Sequence, residues 1–163
     1  GVSPSAGPLS GGTTVTLTGT HLLGATAVTF GATAAGAFTV VSDTQITATA
    51  PPGSGTVQVT ATTPGGVSNS VSYPYLSAPT ITTLNPNQGP TTGGVTVTVT
   101  GTNLAQTSTV LFGATPAPFT VISNTQIVVD APAGAAGPTT LTVTTPGGTS
   151  PAAVYTRVPP PTI

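Results

Sequence analysis

Apolar residues and threonines alternate along much of this chain. In Thr13-Thr14-Val15-Thr16-Leu17-Thr18 and Val95-Thr96-Val97-Thr98-Val99-Thr100 nearly every second residue is apolar. A period of two places Val15, Leu17, Val97 and Val99 on one face of a strand and the threonines on the other. The same alternation runs through Val57, Val59 and Ala61, and again through Leu141 and Val143. Strand-like segments return every 8 to 12 residues or so between glycine- and proline-bearing turns, which predicts an all-β sandwich. No stretch keeps a helical period, because the alanine-rich pieces 31–37 and 131–137 are broken by Gly or Pro. The predicted inward side chains of the first part are Val15, Leu17, Val28, Phe30, Phe38, Val40, Ile46, Val57, Val59, Val71 and Tyr73.

The pattern occurs twice. Gly7-Pro8, Gly11-Gly12, Gly19-Thr20 and Phe30-Gly31-Ala32-Thr33 recur 82 residues later as Gly89-Pro90, Gly93-Gly94, Gly101-Thr102 and Phe112-Gly113-Ala114-Thr115. Phe38 and Ser42-Asp43-Thr44-Gln45-Ile46 return 81 residues on, as Phe119 and Ser123-Asn124-Thr125-Gln126-Ile127. Thr63-Pro64-Gly65-Gly66 and Tyr73 return as Thr145-Pro146-Gly147-Gly148 and Tyr155. A one-residue loss and its recovery belong in loops. The chain is therefore expected to hold one sandwich over residues 1–77, lacking the start of its first strand, and a second over 78–158. Residues 159–163 would begin a further repeat or be a donated strand. Thr-Pro-Gly-Gly predicts a type II turn between the last two strands of each copy, with Gly in the third position supplying a positive φ.

Charge changes the picture most. Only Asp43, Asp130 and Arg157 are charged, against about a quarter of residues in an ordinary soluble domain. One arginine and no lysine leave nothing to bind nucleic acid or an anionic membrane surface. No apolar run reaches the roughly 20 residues of a spanning helix, so membrane insertion is not expected. Without cysteine there is neither a disulfide framework nor a thiolate metal site. Near-zero net charge gives little colloidal repulsion, and sheet edges without lysine lack the usual guard against edge-to-edge pairing. Self-association, or a glycosylated surface, is the expectation. Gly1-Val2-Ser3-Pro4 shows no leader pattern and the chain contains no Met, the composition of a processed chain or a fragment.

These motifs in this order resemble the IPT/TIG family of immunoglobulin-like domains. They are the Pro-x-x-Gly-Pro opening, Gly-Gly followed by Val-Thr alternation into Gly-Thr-x-Leu, Val-x-Phe-Gly, Ser-x-Thr-Gln-Ile and Thr-Pro-Gly-Gly. The resemblance implies two tandem early-set immunoglobulin sandwiches. It implies no one activity, since the family serves in bacterial surface proteins, secreted glycosidases, receptor ectodomains and transcription factors. Missing basic residues, cysteines and Asn-x-Ser/Thr sites point to a bacterial surface or secreted type. The resemblance and composition together predict a non-catalytic extracellular module, such as a stalk, adhesin repeat or filament subunit, whose partners are copies of itself or neighbouring repeats. The alternative is an accessory spacer or glycan-binding module of a secreted carbohydrate-active enzyme.

No cofactor, metal or catalytic residue is predicted. His21 aligns with Asn103, Asp43 with Asn124 and Asp130 with Thr49, so no polar set is shared, and no Gly-x-Ser-x-Gly elbow is present. Asp43 and Asn124 read as turn residues that accept a hydrogen bond from the amide two residues on. Arg157, which aligns with Tyr75, reads as a solvated charge of little energetic weight. Tyr75 is the candidate for stacking on a sugar, whereas Tyr73 and Tyr155 match across the repeat and read as core, as do all four phenylalanines. Pro79-Thr80-Ile81 opens the second copy, has no counterpart before Gly1, and reappears as Pro161-Thr162-Ile163. Either the repeat continues, or residues 161–163 of one molecule complete the first domain of another beside Gly1 and Val2.

Overall fold

A computed structural model describes all 163 residues. It contains strands and turns but no helix, and divides into two compact units, Gly1–Ser77 and Ala78–Ile163. The first unit holds β1 (Val2–Ser3), β2 (Gly7–Pro8), β3 (Thr14–Thr18), β4 (Ala27–Phe30), β5 (Thr33–Ala34), β6 (Phe38–Ser42), β7 (Gln45–Thr49), β8 (Thr56–Thr63), β9 (Gly66–Val67) and β10 (Val71–Leu76). The second holds β11 (Thr80–Asn85), β12 (Gln88–Pro90), β13 (Thr96–Thr102), β14 (Thr109–Phe112), β15 (Thr115–Pro116), β16 (Phe119–Ser123), β17 (Gln126–Asp130), β18 (Gly137–Thr145), β19 (Gly148–Thr149) and β20 (Ala153–Val158).

In the first unit one sheet runs β1-β3-β7-β6 and the other β2-β10-β8-β4-β5, with β9 folded back on β8; the second unit repeats this with β11-β13-β17-β16 and β12-β20-β18-β14-β15. All pairings are antiparallel except β2 with β10 and β12 with β20. Val15, Val97 and Val99, expected inward, are fully buried, as are Ile46 and Ile127 from the neighbouring strands β7 and β17 of the same sheets. Thr29 and Thr60, on the outward face, bond each other across strands at 2.9 Å, the cross-strand pairing that stabilises a sheet's polar side.

Three expectations need correction. Phe30 and Phe112 are core residues, but Phe38 and Phe119 are half-buried and only flank the core, as do Val40 and Val57, while Val71 is half-buried outside it. The first two sit on β6 and β16, which are edge strands covered on one side only. The positive φ of Thr-Pro-Gly-Gly falls on the fourth residue, at 125° in Gly66 and 128° in Gly148. Here the Thr63 and Thr145 hydroxyls accept from the Gly65 and Gly147 amides, and the turn leads into short β9 and β19 rather than directly into the last strand. Asp43 and Asn124 do not serve their own turns, where Ser42 and Ser123 accept from the Thr44 and Thr125 amides. Their side chains instead accept from Leu23 N–H at 3.4 Å and Ala105 N–H at 3.3 Å, some 20 residues back in the chain.

Candidate functional site

The two units differ most at the edge of β3. In the second unit β11 pairs with β13 from Thr80 opposite Thr102 to Asn85 opposite Thr98. In the first, β1 pairs only Val2 with Leu17 and Ser3 with Thr16. Gly1 extends that contact: its ammonium donates to the Thr18 carbonyl, and Thr18 N–H donates to the Gly1 carbonyl. Beyond it, Gly19 and Thr20 are not strand, although Gly101 and Thr102, the same two residue types, end β13. Sequence is equal at the two positions, so the paired neighbour decides.

What lies along that edge is a groove of about 360 Å³ lined by Gly1, Leu17, Gly19, Leu22, Ala61 and Val71 among others. The corresponding side chains of the second unit are sealed. Leu17 and Leu22 are each 8% exposed, while Val99 and Leu104 are at 0%. Ile81 and Leu84 pack against the second core and Val2, the counterpart of Leu84, packs against the first; the position equivalent to Ile81 falls before Gly1. A second hollow, of about 380 Å³, continues past Thr20 and Leu22 to His21, Gly66 and Val67. In the second unit the matching ground is held by Ala78, whose methyl faces Gly148 and whose carbonyl accepts from Asn103 Nδ2 at 3.2 Å. His21, with the same positive φ of 57° as Asn103, projects into solvent and comes only within 4.0 Å of Asp43.

Of the residues expected at an assembly site, Gly1 borders this groove and Val2 pairs with Leu17 on β3. Pro161, Thr162 and Ile163 belong to the second unit, form no strand and are exposed. Tyr75, expected as a stacking platform, is corrected: it is buried, its ring meets Tyr73 edge-on at 5.3 Å, and its hydroxyl donates to the Pro51 carbonyl at 2.7 Å. No ring face is left for a sugar.

Arg157 is corrected in the same way. It is 7% exposed, its Nε donates to the Pro132 carbonyl at 3.2 Å, and its guanidinium lies 6.0 Å from the centre of the Phe112 ring. Pro132 is the counterpart of Pro51, so arginine and tyrosine make the same bond at the same place in the two copies. Gly53 and Gly134 make this possible, since a methyl group on either would overlap the Tyr75 ring or the guanidinium. The signal was in the sequence, in the paired glycines and the Tyr-for-Arg exchange.

The tyrosines are shaped by burial. It pushes the Tyr73 hydroxyl above its ordinary pKa, offset in part by the Thr13 hydroxyl, which does not reach bonding geometry. Burial likewise raises Tyr155, with Arg157 acting against it, and raises Tyr75, with Tyr73 adding to the effect. The Tyr73 and Tyr155 hydroxyls have no hydrogen-bond partner. The groups that remain for chemistry are His21 and Asp43, which are solvent-exposed in one unit, and Asp130, bonded to Thr96 in the other. Residues of this kind do not gather in threes anywhere.

The IPT/TIG domain model matches residues 1–75 and 79–157. Over 108 residues, 63% of this chain and 6% of the relative, the sequence is 37% identical to plexin A3 of Danio rerio; the chain thus corresponds to a small part of that protein. Two structures of the plexin A4 extracellular region are similar at 26% and 25% identity, covering 98% and 97% of this chain and 15% and 18% of theirs, with TM-scores of 0.66 and 0.60. With a match over both copies and nearly every residue, this chain belongs to the IPT/TIG domain family as two tandem immunoglobulin-like sandwiches.

Proposed function

We propose that this chain is a non-catalytic extracellular structural module, part of a stalk, adhesin or filament, that joins end to end with copies of itself by strand addition through residues 161–163. The observation that carries this reading is that Pro161-Thr162-Ile163 repeats Pro79-Thr80-Ile81, a segment that pairs along β13 through Thr80 and Ile81 in the second sandwich. An exposed strand edge is a template for another chain, and near-neutral, lysine-free surfaces do little to keep copies apart. The extracellular placement is supported by likeness to plexin extracellular regions. The non-catalytic reading is supported by burial of the only arginine and exposure of the His21–Asp43 pair, which leaves no enclosed acid–base set to act on a substrate. The test is electron microscopy and light scattering of the purified chain over a wide concentration range. Linear assemblies that grow with concentration are expected; particles of one chain's mass at every concentration would overturn the reading.

A further inference from the structure

We propose that the peptide bond between Arg157 and Val158 is a cryptic cleavage site for proteases of the trypsin class, closed while the second sandwich is folded and opened by its unfolding. Such proteases select a basic side chain by taking it whole into a specificity pocket, and Arg157 is the only lysine or arginine among these 163 residues. The folded chain withholds it in two ways. Its side chain is 7% exposed, with Nε bonded to the Pro132 carbonyl and the guanidinium packed beside Gly134 and Phe112, so no pocket can enclose it. Its backbone lies inside a sheet, where Arg157 stands opposite Gly137 of β18 on one side and Gly89 of β12 on the other. On either side of it in sequence, the Thr156 amide donates to the Asn87 carbonyl at 3.0 Å and the Val158 carbonyl accepts from the Thr91 amide at 3.2 Å. An extended peptide docks on a partner by main-chain bonds along a free edge, and β20 has no free edge here.

The two sandwiches differ in what unfolding exposes. Tyr75 holds the place of Arg157 in the first, so that sandwich offers a trypsin-class protease no bond to cut, whether folded or open. In the second, departure of β20 from β12 and β18 frees the guanidinium and leaves the strand around it unpaired on both sides. Hydrolysis then adds one water across the amide, leaving a carboxylate on Arg157 and an ammonium on Val158, with the protease regenerated. The first sandwich can therefore open and close without loss, whereas such a protease turns an opening of the second into a permanent break. This holds whether or not copies of the chain join.

The experiment follows tryptic digestion of the full chain by mass spectrometry, in buffer and in rising urea. Wild type should stay whole in buffer and be cut after Arg157 at a rate that climbs with urea, since cleavage tracks the population of the open form. Arg157→Tyr should stay whole at every urea concentration. Ile46 and Ile127 are equivalent, fully buried positions in the two cores, and shortening either to valine raises the open population of its own sandwich about fivefold. Ile127→Val should therefore speed cleavage about fivefold, and Ile46→Val should leave it unchanged. Prompt cutting of the folded wild type, or a rate indifferent to urea and to Ile127→Val, would overturn the proposal by showing that Arg157 is reached without unfolding.

Discussion

Replacing Arg157 with alanine tests whether the guanidinium braces the last strand of the second sandwich. The substitution removes a charge-assisted bond to the Pro132 carbonyl, typically worth about 1.5–3 kcal/mol, and a cation–π contact with Phe112 at the outer limit of its range, worth roughly 0.5 kcal/mol. It also strips the arginine stem from beside Gly134. Against this, a cation held without a carboxylate partner regains its hydration on unfolding, which lowers the net loss. A destabilisation of about 2 kcal/mol results, and for a sandwich of this size about 4–8 °C of midpoint accompanies each kcal/mol. Calorimetry should show the transition of the second sandwich falling by about 8–16 °C and that of the first unmoved. Arg157→Tyr, which installs the Tyr75 arrangement, should return the midpoint to within a few degrees of wild type. If Arg157→Ala costs less than ~0.5 kcal/mol, the value of an ordinary surface substitution, the guanidinium is solvated in solution and the reasoning fails.

Three further outcomes are expected. Tyr73→Phe and Tyr155→Phe should be neutral or stabilising in urea melts, because they delete buried hydroxyls without partners, whereas Tyr75→Phe should cost about 1 kcal/mol by orphaning the Pro51 carbonyl; equal losses at all three would contradict the assignment. Gly101→Ala should destabilise by about 1–3 kcal/mol through overlap with Thr80 and speed amide exchange along β11, and a neutral result would mean that β11 does not lie on β13. Stability should be flat with respect to the tyrosines below the ordinary phenol pKa of about 10 and fall as pH rises above it. The folded state holds all three phenols above their unfolded value, so the unfolded chain gives up their protons first. Equilibrium unfolding followed from neutral to strongly alkaline pH checks the sign.

Much of the fold was legible because Thr alternates with Val and Leu, and because glycines recur at fixed separations; both are local signals that set strand faces and turns. What escaped depends on distant partners. Burial of Arg157 required knowing that β20 carries it past the Pro132 carbonyl, and a rule for charges on a chain's surface assigns such a residue to solvent. Asp43 and Asn124 were read by local turn chemistry, yet they reach amides about 20 residues away. Phe38 and Phe119 look like core in any one-dimensional pattern and are set apart only by lying on edge strands. The requirement for glycine at position 101 is visible only where β11 and β13 meet.

The parallel pairings give each sandwich a directional resistance to force. β2 and β10 run the same way, as do β12 and β20, so tension on the two ends of a unit slides one strand along the other. The hydrogen bonds between them are loaded together in shear and are not peeled one at a time. In the first unit two residue pairs are in register, Gly7 with Tyr75 and Pro8 with Leu76; in the second there are three, from Gln88 with Thr156 to Pro90 with Val158. By this count the first clamp is the shorter of the two.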